Sequence, residues 1–228
     1  MRIVFLGDSL TEGRLGAGYV AKVAEALPHV ECLNAGKGGS TALNVLRRLP
    51  TDLARYSPDG AVIMVGVNDA IAASQGWAWR VFYRVVKGVP GGRVSLHDFC
   101  HYYQRILQHL LERVPHVWAV LPPVEHNPAL AAALRQFNAE AARIAAGEGV
   151  PVLDLMAALV PSHIPSRRRL SGLSLARDMI RYVVLGADYN ADGERRGYTY
   201  TLDGVHLADH GAERVAAEIV ALLRAEGV

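Results

Sequence analysis

An α/β fold with a five-stranded parallel sheet is predicted, on two observations. Five short apolar runs, at 2–7, 30–34, 60–66, 116–121 and 150–155, are rich in β-branched or large apolar side chains and are bounded by Gly, Pro, Asn or Asp. They lack strict apolar/polar alternation, the pattern of strands covered on both faces. Helical patterns fill the spaces between them, and strands alternating with helices argue for parallel strands joined by crossovers. Five such strands suit the order 2-1-3-4-5, a flavodoxin-like three-layer α/β/α sandwich.

The first run, RIVFLG, leads into GDSLTEG. Ser9 with Glu12 spells a capping box, yet Gly13, Gly16 and Gly18 follow, and glycine disfavours a helix interior by roughly 1 kcal/mol. A helical pattern then spans 18–27. The second strand, VECLN, gives way to NAGKGGST and a helix over 41–56, interrupted at Pro50. The third strand ends in GVND. Helices over 96–114, opened by Ser95 with Asp98, and over 129–147 flank the fourth strand, and a last helix covers 212–226. Two segments break the rhythm, at about 72–94 (with WAWRVFYRVVKGVPGG) and about 158–200 (with LARDMIRYVVLG). Both read as insertions on a single domain spanning 1–228.

Hydrophobic residues are 51% and charged residues 20% of the 228, with a net charge of +2. That charge is too small for a nucleic-acid surface, and Arg167, Arg168 and Arg169 read as a solvated face. Cys32 and Cys100 form no disulfide framework and no metal-ligand spacing. The apolar strands are too short to span a bilayer. The first strand starts at Arg2, which leaves no room for a signal peptide, so a cytoplasmic location without stable membrane insertion is expected.

In open parallel sheets, ligands sit beyond the carboxyl ends of the strands where the strand order reverses. The loops leaving strands 1, 2 and 3 therefore converge, bringing together Ser9, the glycines of NAGKGGST and Asn68. A hydroxyl and hydrogen-bond donors are the parts of acyl-transfer chemistry. The hydroxyl needs a base, and TLDGVHLADHG places Asp203 and His206 three apart before the last helix, in a loop that can return to the same edge.

GDSL, the glycine of NAGKGGST, GVND and DGVH stand in the order found in the GDSL esterases, or SGNH hydrolases, and the chain resembles that family from Gly7 to His206. The resemblance implies a serine esterase with Ser9 as nucleophile, His206 as general base and Asp203 as its orienting partner. It also implies an oxyanion hole of the Ser9 amide, a glycine amide (Gly39, or Gly38 with a shift of one) and the Asn68 side chain. Asp8 and Asp69 become supporting residues that hold loops. No cofactor is expected. The expected substrate is a small-molecule carboxylic ester with a short to medium acyl or acetyl group. Thioesters, lysophospholipids and acetylated carbohydrates call on the same parts, and a non-catalytic ligand-binding module is the rival from another class.

Three other features have plainer readings. NAGKGGST lacks the residue order of a phosphate-binding loop. Asp188, Asn190 and Asp192 match the first half of a calcium loop, but its twelfth position is Thr199 instead of a glutamate, and a turn rich in Asx residues is simpler. Trp77, Trp79, Phe82 and Tyr83, interleaved with Arg80 and Arg84, read either as a core-packed helix or as a lid or acyl-chain wall. The remaining histidines read as structural or surface residues.

Overall fold

The computed structural model describes residues 1–161 and 163–228; Ser162, inside the second expected insertion, lies outside the described residues. The five apolar runs form strands β1 (Arg2–Gly7), β2 (Glu31–Gly36), β3 (Gly60–Met64), β4 (His116–Leu121) and β5 (Val152–Asp154). All pair in parallel in the order β2-β1-β3-β4-β5, as predicted. β1 and β3 are central and buried on both faces, which is why their sequences do not alternate. Gly7 lies opposite both Gly36 and Met64, so the first three strands end level and their loops start at one height.

Eleven α-helices are present among the described residues: α1 (Ser9–Glu12), α2 (Tyr19–Ala26), α3 (Ala42–Tyr56), α4 (Val67–Ser74), α5 (Trp77–Val85), α6 (Leu96–Leu111), α7 (Pro128–Gly147), α8 (Leu155–Leu159), α9 (Gly172–Met179), α10 (Tyr189–Arg195) and α11 (Asp209–Ala225). Right-handed crossovers dictate the layers. The chain steps one way from β1 to β2 and the other way from β2 to β3, β4 and β5. Hence α2, α8 and α11 pack together in one layer, and α3, α6 and α7 in the other.

Local chemistry sets most of the helix ends. Ser95 and Asp98 form the expected capping box of α6, and Asn127 caps α7 with Pro128 in the first turn. Pro50 does not interrupt its helix: α3 runs through it to Tyr56. The ring sits on the exposed side, while Val45, Leu49 and Leu53 bury the opposite face on both sides of it. That burial outweighs the lost backbone hydrogen bond.

The segment expected as the first insertion forms the end of α4, then α5 and a 3-10 turn (Pro90–Gly92). The second carries α9, a π-helical turn (Ile180–Val184) and α10. A small apolar cluster of Leu15, Tyr182 and Leu202 anchors it, and ion pairs supplement that packing. Arg196 grips the buried Asp178 at 2.8 and 3.1 Å, and Asp192 pairs with Arg181 at 2.8 Å, with Arg195, and with the Tyr182 hydroxyl at 2.9 Å.

Candidate active site

The loop after β1 begins with Asp8, whose carboxylate accepts from the Leu10 N–H at 3.0 Å and caps α1. The capping box read from Ser9 and Glu12 is not formed. Ser9 is the first helical residue, and Glu12 instead accepts from the Gly38 N–H at 3.1 Å. The helix lasts one turn because Gly13 adopts a left-handed conformation (φ 67°). It can lie against the end of β2 only because Gly36 has no side chain; a Cβ there would stand 2.1 Å from the Glu12 nitrogen.

His206 returns to this edge from the loop before α11. Its Nε2 is 3.0 Å from the Ser9 Oγ, and its Nδ1 is 2.7 Å from Asp203 Oδ2. Asp203 and His206 are both buried. The ionised carboxylate can only accept, so a neutral ring carries its proton on Nδ1 and leaves Nε2 to accept from the Ser9 hydroxyl. The other Asp203 oxygen accepts from the backbone of Val205 and His206 at 2.9 and 2.8 Å, which fixes its direction. Burial opposes charge on His206, but the Asp203 carboxylate prevails and raises the imidazole above its usual range. Burial likewise pushes Asp203 up, yet the charge and hydrogen bonds of His206 hold it below the usual carboxylate range.

Three backbone and side-chain donors belong to residues that line the same cavity as Ser9 and His206. The Ser9 and Gly39 N–H groups have no acceptor among the described residues, whereas the Gly38 N–H is taken by Glu12. Of the two glycines considered, Gly39 therefore has the available amide. Lys87 donates its ammonium to the Gly38 carbonyl. Because a trans peptide points its C=O and N–H in opposite directions, this bond orients the Gly39 N–H. Gly39 has φ +70°, a left-handed conformation that favours glycine. Asn68, at the start of α4, donates one Nδ2 hydrogen to Asp8 Oδ2 at 3.0 Å and accepts from the Tyr83 hydroxyl at 2.7 Å. Its second N–H has no acceptor among the described residues and belongs to a group that lines the adjoining cavity.

Asp8 and Asp69 both bind across loops. Asp69 accepts from the Ala42 N–H at the start of α3, at 3.1 and 3.2 Å. Burial pushes Asp8 up to about 6 and Asp69 up to about 8.

The cavity has a volume of about 580 Å³. Ser9, Asn68, Gly39 and His206 all line it. Its walls come from both irregular segments: Trp79 and Phe82 of α5, and Leu175 and Met179 of α9, joined by Val67 and Ile71 of α4. Trp79 Nε1 donates to the Leu170 carbonyl at 2.8 Å and ties the walls together. The aromatic segment is thus both core and wall, with Trp79 and Tyr83 buried and Trp77 exposed.

Three residues in and around this arrangement carry no local motif, and a fourth, Glu12, has a role other than the capping box its spacing spelled. Glu12, Tyr83 and Lys87 are described above. Glu125, in the loop after β4, is buried and accepts from the backbone of Thr199, Tyr200 and Thr201 and from the Thr201 hydroxyl at 2.7–2.9 Å. It thereby holds the strand of chain that leads to Asp203. The only sequence signals were an acidic residue in the otherwise uncharged PPVEHN stretch and the i, i+4 spacing of Tyr83 and Lys87. His126, read as a structural or surface residue, sits between two carbonyl acceptors, with Nδ1 2.9 Å from the Asp203 carbonyl and Nε2 3.2 Å from the Arg168 carbonyl. Where a turn rich in Asx residues was expected, Asp188, Asn190 and Asp192 open a helix, and the Asp188 carboxylate accepts from the Asn190 and Ala191 N–H groups at 2.9 and 3.1 Å. Asp188 caps α10, Asn190 bonds to Asp209, and Asp192 faces the arginines, so their oxygens point to separate partners.

Its family makes the protein a carboxylic ester hydrolase. The family follows from the sequence: the chain belongs to the GDSL-like lipase/acylhydrolase family, whose profile matches residues 5–214. A comparison with the curated proteins finds no match. Among solved structures, the fold is similar to that of an acetylxylan esterase from Geobacillus stearothermophilus, at 20% identity and a TM-score of 0.66, covering 100% of this chain and 94% of that one. It is also similar to a lipase/acylhydrolase from Enterococcus faecalis, at 20% identity and a TM-score of 0.66, covering 99% and 96%. A further acetyl xylan esterase aligns at 20% identity with a TM-score of 0.65, covering 98% and 100%. At these identities the likeness concerns the fold. No helix among the described residues is long and apolar enough to cross a membrane.

Proposed function

We propose that the protein hydrolyses carboxylic esters through an acyl-enzyme on Ser9. The observation that carries this reading is the row Ser9–His206–Asp203, at 3.0 and 2.7 Å. Ser9 Oγ attacks the acyl carbon while His206 Nε2 takes its proton. The carbonyl oxygen becomes an anion facing the N–H groups of Ser9, Gly39 and Asn68, the oxyanion hole. The bond to the leaving alcohol then breaks, and the proton passes from Nε2 to that alcohol. Water attacks the acyl-enzyme by the same route and restores Ser9. Asp203 stabilises the imidazolium without being protonated. Losing one oxyanion donor typically costs about a hundred- to a thousandfold in turnover. Asp8 and Asp69 support the loops, and Tyr83, Lys87 and Glu125 act as positioning residues.

The apolar walls favour an acyl chain of short to medium length. The acetylxylan esterases that share the fold suggest acetylated sugars, but Val67, Ile71, Trp79 and Phe82 offer little to hydroxyl groups, so an acyl chain is the better occupant. The test uses p-nitrophenyl esters and a fluorophosphonate probe with wild type and Ser9→Ala. Cleavage and labelling by wild type alone support the reading. Equal activity of the two proteins, or a folded wild type that neither cleaves nor labels, sinks it in favour of a ligand-binding module.

A further inference from the structure

The rim of the cavity carries a second pattern. On α5, Trp77, Val81 and Val85 recur every four residues and are 77%, 48% and 74% exposed. At about 100° per residue they form one stripe. Ala78 and Phe82, one step further round the helix, line the cavity, so the stripe starts at the rim. Arg80 and Arg84 run along its other side. The opposite wall repeats this order. Gly172 and Ala176 of α9 line the cavity, Leu173 and Ile180 beside them are 83% and 56% exposed, and Arg177 lies beyond. Val184 and Leu185 continue the apolar strip at 72% and 73% exposed.

Charge follows the same layout. Residues 70–97 and 155–177 hold eight of the 24 Lys and Arg residues and none of the 22 acids, although the chain is nearly neutral. Arg80 and Arg84 have no carboxylate partner among the described residues. Contiguous exposed apolar surface of this kind marks an interaction site. Apolar stripes flanked by arginines on helices that lie along a surface are the pattern of interfacial binding to anionic lipid.

We propose that α5 and the α9 segment form a docking surface for an anionic phospholipid surface, with the mouth of the cavity facing the lipid. Resting on the esterase reading, this assigns the substrate class as an acyl ester drawn from that surface, its chain entering between the apolar walls. Charge complementarity favours lipid over an acidic protein partner, because the apolar stripes are continuous with a cavity suited to an acyl chain.

The test is cosedimentation with phosphatidylcholine vesicles, with and without phosphatidylglycerol, at low and high salt. It compares wild type, the triple variant Trp77→Ser/Val85→Ser/Leu173→Ser and the pair Arg80→Glu/Arg84→Glu. Wild type is expected to bind the anionic vesicles in a salt-sensitive way. The charge-reversed pair should bind about tenfold or more weakly, and the triple variant should lose binding. Both variants should still hydrolyse soluble p-nitrophenyl butyrate at the wild-type rate, which shows that they fold. Failure of wild type to bind anionic vesicles, or undiminished binding by both variants, overturns the proposal. So does light scattering that finds a wild-type dimer dissociated by the triple variant, since the stripe then faces a second copy. Fluorophosphonate labelling of Ser9 in the same samples separates the two readings: labelled protein that ignores vesicles loses the docking surface and keeps the esterase, while unlabelled protein that binds them does the reverse.

Discussion

At His206 two opposed influences decide how the chemistry depends on pH. Burial favours the neutral ring, while Asp203 favours the imidazolium and prevails. A base must be neutral to accept a proton, so the acid limb of kcat/KM should lie above the ordinary histidine value of 6.5. Asp203→Asn removes the opposing charge and leaves burial, which should move that limb below 6.5 and lower kcat by roughly 10⁴-fold, as expected when the wrong tautomer is held. A pH–rate profile of both proteins checks this; a limb that stays in place would mean that Asp203 does not set the titration. Stability follows the opposite sign. The raised imidazole contributes stability that is full below 6.5 and lost as pH rises through its folded value. The lowered carboxylate contributes above 3.8 and is lost as pH falls through its folded value. Activity therefore rises where the ion pair's contribution to stability is waning. The row of Ser9, Asp203 and His206 was legible in the sequence because each residue sits in a short motif at a strand or helix boundary. Glu125 was not, since its five hydrogen bonds join loops more than 70 residues apart.

Among the elements, α5 and the turn that follows it invite the closest test, because Tyr83 and Lys87 bear on two of the three donors proposed for the oxyanion hole. Tyr83 fixes the amide of Asn68, and Lys87, one turn on, fixes the peptide that carries the Gly39 N–H. Tyr83→Phe keeps the ring packing and removes one hydrogen bond to the Asn68 carbonyl oxygen. If α5 positions the donors, kcat should fall about tenfold, in line with a transition-state hydrogen bond weakened by about 1.4 kcal/mol, while KM changes little. Steady-state kinetics on a soluble ester, with thermal unfolding as a control, gives the answer. Equal falls in stability and activity without a kcat-specific loss would assign Tyr83 to packing alone. That the aromatic stretch could be a core-packed helix or a wall was readable. Which side met the core could not be read, because Trp77, Trp79, Phe82 and Tyr83 are spread round most of the helix. Only tertiary contacts distinguish the buried Trp79 from the exposed Trp77. The opposite error occurred at Pro50, where a local breaker yields to burial on both sides of it.

Across the whole molecule, the sheet supplies a level edge and the two irregular segments supply the shape of what stands on it. Strand order was legible because crossover chirality and apolar runs leave few alternatives; the cavity was not, because it forms between segments joined through Trp79 and Leu170, 91 residues apart. The division of labour predicts how chain length governs activity. Each methylene moved from water into apolar walls contributes about 0.8 kcal/mol, or about fourfold in kcat/KM if it is bound in the transition state. From p-nitrophenyl acetate upward, kcat/KM should therefore climb steeply until the chain fills the cavity, then level off or fall. Ala78 lines the cavity on the exposed side of α5, so Ala78→Phe adds bulk there with little cost to the core. That variant should shift the preferred chain to shorter esters while leaving acetate turnover nearly unchanged. A profile that is highest at acetate in wild type would remove the acyl chain from the cavity and return the acetylated carbohydrates to first place.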